Sequence, residues 1–373
     1  MRLAAVETFP LLYPLPQPYG DANGYKYYRA SFLLRLTTEG GLSGWGEVTG
    51  WLPELETEFK RRIIPYLRGK NALKRTRLVA HLKGWHHRAA AGISMALTEI
   101  AAKGAGMSIC ELWGGRRRDK VPVYASLQSY TAQAAWPEHP LSQAQEALSQ
   151  GFRAIKVKIG AKTFGEDFSH IQHLQGSLSP GQEFMVDANQ SFDQATARKW
   201  GRQMLSWENL AWFEEPLPIQ QVATYKALRS QGGVAMAGGE NIKSAVGFLA
   251  LLQQGALDII QPDPAHTGGL DEYRHILGLA RSFGVRVSPH SFDGALSRYY
   301  ALLAQACLPP WSKMAQDDIE PVEWDVMENP FTALVPLKPK GGQIHLPSGR
   351  GLGLELDEEL ICHYRWDGSS HWS

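Results

Sequence analysis

The chain has 373 residues, 44% hydrophobic and 20% charged, with 38 basic against 37 acidic side chains and a formal net charge of +1. At roughly 100–200 residues per domain, that length suggests two domains or one large barrel with additions, and the balance of charge leaves no global field to draw in nucleic acid or an anionic membrane. The opening MRLAAVETFPLLYPLP is interrupted by Glu7 and by prolines and does not read as a signal peptide, and no stretch nears ~18 uninterrupted apolar residues.

In chain order, RLAAVETFPL and RASFLLRLTT read as strands, and GGLSGWGE as turn glycines leading into a short strand. Helical character follows from about residue 55 to 67. It returns in the Ala-rich AAAGISMALTEIAAKGAG, where apolar positions fall three and four apart. LWGGRRRDKV is a Gly-plus-charge break, and a domain boundary is expected there, near residue 120. The cysteines Cys110, Cys307 and Cys362 are too widely spaced and odd in number for a disulfide framework or a zinc knuckle, so a reducing cytoplasm is the expected compartment.

From Val121 the pattern changes. VPVYAS, AIKVKIG, FMVDAN, AWFEEP, VAMAGGE, LDIIQPD and VRVSPH alternate with helical stretches such as QATARKWGRQML, SAVGFLALLQQ and EYRHILGLARSF. Alternation of this kind indicates parallel βα units. With an eighth strand near PVEWD it predicts an α/β fold, a (β/α)₈ barrel of TIM type over 121–325 with an α+β capping domain over 1–120. A doubly wound open sheet would need a Gly-rich phosphate loop after its first strand, and YASLQSYTAQ is not one.

Each apolar run ends in a chemically useful residue: Lys158, Asp187, Glu214, Glu240, Asp263, His290 and Glu323, at gaps of 29, 27, 26, 23, 27 and 33 residues. One βα unit fills each gap, and in a TIM barrel the C-terminal strand ends converge on one mouth. Any one acidic residue after a strand could be a helix N-cap; seven in register point to one pocket. Asp187, Glu214 and Glu240 are hard oxygen ligands from consecutive strand ends and suit Mg²⁺. Lys156 and Lys158 share a strand face if Ile155, Val157 and Ile159 face the helices, and two ammonium groups near a divalent cation should depress each other's proton affinity. Asp263 precedes His290 by one strand and would fix its tautomer for acid/base work. Together these parts suit removal of a proton α to a carboxylate, whose dianionic product needs a cation to stabilise it.

The ordered set KVKIG (156–160), VDAN (186–189), WFEEP (212–216), GGEN (238–241), IIQPD (259–263) with GG at 268–269, and SPH (288–290), with GWGE (44–47) ahead of it, resembles the enolase superfamily and, within it, the mandelate racemase subgroup. The resemblance runs over nearly the whole chain. It implies an enolase-like modified barrel whose cap is completed by a return of residues from about 326 to 373. It implies Mg²⁺ held by Asp187, Glu214 (rather than Glu215) and Glu240, and Lys158 opposite the His290–Asp263 dyad as the two bases. Lys156 and Glu323 would bind the substrate carboxylate, and Asn189 a nearby substrate oxygen. Substrate specificity would lie on two cap loops, Gln17–Tyr28 and Val48–Pro53, with Tyr19 and Tyr25 as substrate-binding residues.

EPVEWDVMENPF (320–331) is most similar to the acid-sugar dehydratases and sugar-diacid lactone cycloisomerases. QPYGDANGYKYY contains no Arg, so Lys26, or a residue elsewhere such as His266, would have to meet any distal carboxylate. The expected function is a Mg²⁺-dependent lyase acting on a small-molecule sugar acid. A racemase, epimerase or cycloisomerase on a similar carboxylate stays open, as does a non-catalytic sugar-acid binding protein. No nucleic acid or membrane partner is expected; a homo-oligomer is.

Overall fold

The computed structural model describes residues 1–131, 136–314 and 318–369. The N-terminal part is an antiparallel sheet of β1 (Leu3–Asp21), β2 (Gly24–Thr38) and β3 (Ser43–Val48). Both long strands run past the ends expected from their apolar alternation, so Gln17–Tyr28 is a strand hairpin rather than a loop. The prolines of PLPQPY hid this, because proline cannot donate to a ladder. They fall where the register slips between Pro14, opposite Tyr28, and Tyr19, opposite Lys26, and the ladder loses nothing there.

β3 lies directly on the helix His87–Gly104. Period-two alternation puts Gly44 and Gly46 on the helix side, where a Cβ would meet the Ala96 carbonyl oxygen at 2.2 Å and that of Gly92 at 2.0 Å. Trp45 and Glu47 point the other way, toward the barrel. The stretch expected to be helical at 55–67 is helical over Leu52–Leu67, with a π turn at Phe59–Ile63.

Eight parallel strands follow: β4 (Lys120–Ser126), β6 (Ala154–Lys158), β7 (Glu183–Asp187), β8 (Leu210–Glu214), β9 (Met236–Gly238), β10 (Ile259–Ile260), β11 (Arg286–Val287) and β12 (Val322–Asp325), paired in that order with β12 against β4. The short β5 (Tyr130–Thr131) leaves the barrel to pair with Tyr19 and Gly20 of β1. The seventh and eighth strands are stitched by the Glu323 amide donating to the Pro289 carbonyl at 3.2 Å and by Ser291 Oγ donating to the Glu323 carbonyl at 2.9 Å. The architecture is a parallel curled sheet of barrel type with a separate N-terminal domain.

Outward-facing Ile155, Val157 and Ile159 are fully buried with the helix layer. The interior is plugged by Tyr124, Met185, Trp212, Ala237 and Ile259, supplied by five different strands. Above that plug the lining turns polar.

The residues after 326 divide. β13 (Gln343–His345) runs antiparallel to Lys120–Pro122, at the end of the barrel away from the mouth. The chain then crosses to the N-terminal sheet, where Leu12 donates to the Tyr364 carbonyl at 3.0 Å and Trp366 to that of Pro10 at 2.9 Å. Residues 370–373 of the expected return lie outside the described residues. Among the described residues no helix is long and apolar enough to cross a membrane.

Candidate active site

The polar layer is built by strand alternation. Lys156 and Lys158 face inward from β6, Asp187 ends β7 and Glu214 ends β8, with Glu323 on β12. Lys156 is completely buried. Its Nζ lies 2.6 Å from Glu214 Oε1, 2.9 Å from Glu323 Oε1 and 3.6 Å from Asp187 Oδ2. Lys158 Nζ donates to Asp187 Oδ2 at 2.5 Å. Glu323 also accepts from Ser126 Oγ at 2.6 Å and from the Ser291 amide at 2.9 Å. On the far side of the ring, His290 Nδ1 is 2.7 Å from Asp263 Oδ2, and its Nε2 is 3.1 Å from Glu240 Oε2.

Above this layer opens a cavity of about 640 Å³. Lys158, Asn189, Glu240, His266 and His290 line it below, and Tyr19, Tyr25 and Lys26 of the hairpin, with Thr49, Gly50 and Arg88, line it above. Lys158 and His290 therefore face one space from the second and seventh strands. Lys156 and Glu323 are 0% and 1% exposed and sit beneath the cavity wall. Asn189 takes a left-handed backbone (φ 44°) and donates its amide to Asp187 Oδ1 at 2.8 Å. Tyr25 is exposed, with its hydroxyl on the Thr131 carbonyl. Tyr19 is buried and packed under the Arg29 guanidinium, so much of its ring serves the cap's own packing. Lys26 is ion-paired with Asp293, which lies on the loop after His290.

The electrostatics of this layer are those of crowded anions. Burial would strip the proton from Lys156, but Glu214 and Glu323 hold it well above the usual lysine range; Asp187 does the same for Lys158. Burial likewise disfavours the His290 cation, and Glu240, Glu323 and Asp263 outweigh it and raise its pKa. Burial and then Asp187 push Glu214 up to about 7, against the pull of Lys156; burial and then Glu240 push Glu215 up to about 8. Lys156 does lower the proton affinity of Lys158, and Asp187 outweighs that effect.

Six carboxylates, Asp187, Glu214, Glu215, Glu240, Asp263 and Glu323, thus face three cations, Lys156, Lys158 and His290. The surplus of negative charge in a buried site fits a divalent cation held by hard oxygen donors. Asp187, Glu214 and Glu240 are each engaged by a different cation in this arrangement. Among the described residues, donor atoms all within 4.8 Å of one another occur at Asp263, His266 and His290. Two imidazoles in that group suit a transition ion better than Mg²⁺.

Residues the sequence did not single out complete the site. Trp212 Nε1 and Gln261 Nε2 donate to Glu214 Oε2 at 2.9 and 2.6 Å. Each lies two positions before a strand-end carboxylate, on the same face, so alternation could have found them. Glu215 has φ 37° and accepts from the Gly239 amide at 2.9 Å and from Gln190 Nε2 at 2.6 Å. Phe292, Asp293 and Arg88 reach the cavity from a loop and from a helix of the other domain, and no periodicity marks them.

Comparison with known proteins agrees with this architecture. The family model for the enolase C-terminal domain-like region matches residues 140–360, and that for the mandelate racemase/muconate lactonizing enzyme N-terminal domain matches 16–114. A D-galactarolactone cycloisomerase of Agrobacterium fabrum is 31% identical over 385 residues, 98% of this chain and 99% of its own. An L-talarate/galactarate dehydratase of Salmonella typhimurium is 29% identical over 283 residues, 73% of this chain and 65% of its own. The crystal structure of a 3,6-anhydro-D-galactonate cycloisomerase from Zobellia galactanivorans superposes with a TM-score of 0.85 at 25% identity, covering 98% of this chain and all of that one.

Proposed function

The chain belongs to the mandelate racemase/muconate lactonizing enzyme group of the enolase superfamily, and from that footing we propose that it is a Mg²⁺-dependent enzyme that removes the proton α to the carboxylate of a sugar acid, with loss of water as the net reaction. The observation that carries this reading is the placement of Lys158 and the His290–Asp263 dyad on opposite walls of one cavity, above a buried carboxylate layer. When bound, a divalent cation held by Asp187, Glu214 and Glu240 would stabilise the charge that develops on the substrate carboxylate. Asp187 and Glu240, once engaged in that way, would no longer hold the protons on Lys158 and His290.

Lys156 and Glu323 act from beneath the substrate carboxylate. Lys156 supplies a fixed positive charge, and Glu323 is anchored by Ser126 and Ser291. One of Lys158 and His290 takes the α-proton. The other delivers a proton to the departing β-hydroxyl, so that water leaves and the enol relaxes to a keto acid. Asp263 orients the imidazole through Nδ1 and leaves Nε2 for the cavity. Tyr19, Tyr25 and Thr49 close over the mouth, and exclusion of water there strengthens each of these charge interactions.

Cycloisomerisation of a sugar-diacid lactone is the second reading, favoured by the printed activity of the 31%-identical relative. The test is incubation with a panel of sugar acids and lactones in D₂O with Mg²⁺, followed by NMR. Water loss with a keto-acid product supports dehydration, and lactone opening without water loss supports the second reading. Deuterium at Cα with no net reaction makes the enzyme an epimerase or racemase. If Mg²⁺ binds and no acid on the panel exchanges its α-proton, the proposal fails.

A further inference from the structure

Two of the three cysteines, far apart in sequence, meet where the N-terminal domain joins the barrel. Cys110 lies on the short helix Ile109–Leu112, and Cys307 is the last residue of the helix Ala295–Cys307. Cys110 Sγ is 3.7 Å from the Leu303 carbonyl oxygen, one turn before Cys307, and Cys307 Sγ is 4.0 Å from the Cys110 carbonyl oxygen. Each sulfur thus reaches the other's segment, and the two side chains are in hydrogen-bond contact. Cys110 is buried, Cys307 is partly exposed, and Cys362, on the helix Glu358–His363, is exposed.

The surroundings favour a thiolate at Cys307. The run GGRRRD (114–119) wraps the end of its helix. The Arg117 amide donates to the Ala306 carbonyl at 2.8 Å, and Arg118 Nη1 donates to the carbonyls of Gln305 and Leu308 at 2.6 and 2.9 Å. The end of a helix ordinarily disfavours an anion; here a guanidinium covers its carbonyls. Arg274 reaches the same corner, with Nη2 donating to the Trp113 carbonyl at 3.2 Å. A hydrogen bond from the Cys110 thiol, with Arg274, Arg118 and Arg116, outweighs burial and holds the Cys307 thiol below its ordinary range. The same hydrogen bond, then burial, push the Cys110 thiol up, and Glu111 adds to this. A partly exposed thiolate beside a protonated second thiol is the arrangement of an attacking and a resolving cysteine. A cavity of about 380 Å³, lined by Cys110, Arg116, Leu303 and Gly351, opens beside the pair.

We propose that Cys307 and Cys110 form an oxidative modification site, at which a hydroperoxide converts the two thiols to a disulfide that ties the end of the N-terminal domain to the barrel helix after His290. The Cys307 thiolate attacks one peroxide oxygen. The O–O bond breaks, hydroxide leaves and takes up the proton that the Cys307 thiol had released, and Cys307 becomes a sulfenic acid. The Cys110 sulfur then attacks the Cys307 sulfur. The S–S bond forms as the S–O bond breaks, and the Cys110 proton leaves with that hydroxide as a second water. The two thiols lose two electrons and the peroxide gains them. A dithiol reductant restores the pair by exchange.

The test treats the full chain with hydrogen peroxide, blocks the remaining thiols by alkylation and maps the peptides by mass spectrometry. The wild type should yield a cross-linked peptide joining Cys110 to Cys307 within one chain, and dithiothreitol should remove it. Cys110→Ser should leave on Cys307 a sulfenic acid that dimedone traps. Cys307→Ser should slow oxidation of Cys110 by roughly tenfold or more. Cys362→Ser should leave the cross-link unchanged. Between pH 8.5 and pH 7 a thiol of pKa ~8.5 loses roughly fifteenfold of its thiolate, and oxidation of Cys307 should slow by less than that of Cys362 in the same wild-type chain. Cross-links that form only through Cys362, dimedone capture on Cys110 ahead of Cys307, or equal slowing of Cys307 and Cys362 would each overturn the inference.

Discussion

A base must be able to part with its proton, and Lys158 and His290 are both held protonated by carboxylates that are also the expected metal ligands, Asp187 and Glu240. Lys158→Ala and His290→Asn should therefore each reduce turnover by about 10²–10⁴-fold, the usual worth of a positioned acid or base, while Mg²⁺ still binds. One of the two should continue to exchange the α-proton with solvent, because the remaining base serves its own face of the carbon. Turnover in His290→Asn within a few-fold of wild type would reduce the dyad to a structural pair. A different kind of titration lies in the barrel's helix layer, on the helix Phe164–Ser177. His170 is fully buried, and neither ring nitrogen has a hydrogen-bond partner among the described residues. Burial, and then His173, lower its pKa to about 4 from the ordinary 6.5. The unfolded chain takes up this proton as pH falls through 6.5, and the folded chain resists until about 4. The contribution to stability is thus complete above pH 6.5 and is lost toward pH 4, at about 1.4 kcal/mol per pH unit. Urea unfolding of wild type and His170→Leu at pH 7 and pH 5 should show the variant losing less stability on acidification, by roughly 2 kcal/mol; equal losses would contradict the assignment.

The elements meet through a few residues whose neighbours in sequence give no hint of it. The helix Ala295–Cys307 begins after Gly294, which offers no side chain to its first amides. Glu47 of β3 supplies one from the other domain: Oε2 accepts from the Leu296 and Ser297 amides, each at 2.9 Å, while Oε1 accepts from Ser31 Oγ at 2.7 Å. An anion at a helix start is favoured by the dipole as well as by the bonds. Burial pushes the Glu47 carboxyl up, so these donors are what make the buried group tolerable. Glu47→Ala should cost about 2–3 kcal/mol, read as a lower urea midpoint, and should raise amide exchange at the start of that helix. Exchange unchanged at residues 296 and 297 would refute the cap. The motif GWGE was legible as a short strand. Its division of labour, glycines to one helix and Glu47 to another, became visible only when both faces of the strand had neighbours.

Across the whole molecule, the hairpin of β1 and β2 is fastened to the barrel through Arg29. Its guanidinium is 2% exposed and bonds Asp325 on β12 at 2.9–3.0 Å, Asp293 at 2.8 Å, and the Glu328 carbonyl at 3.1 Å. Removing one partner of a buried pair leaves the other charge uncompensated, a cost of about 3 kcal/mol or more. Arg29→Met should lower the melting temperature and make residues 17–28 cleavable in limited proteolysis at native pH. A hairpin as resistant as in wild type would mean that packing of Tyr19 and Phe292 is enough to hold it. The C-terminal segment adds a second fastening, since the Leu12 and Trp366 amides bond it along the edge of β1 after β13 has paired at the other end of the barrel.

The barrel and the ring of polar side chains at its mouth were legible because both follow from period. Strand alternation sent Lys156 and Lys158 inward and their β-branched neighbours outward. The spacing of one βα unit brought Lys158, Asp187, Glu214, Glu240, Asp263, His290 and Glu323 to one end of the barrel. Those are local rules, written in consecutive residues. The prolines of the first hairpin defeated the same rules, since composition cannot say where a register slip will make them harmless. Contacts between domains were out of reach for a different reason. Arg88, Arg29, Glu47 and Asp293 meet partners dozens to hundreds of positions away, and nothing in their own segments repeats. Their roles depend on where two separately patterned units settle against each other, so the space above Lys158 and His290 belongs to the tertiary structure.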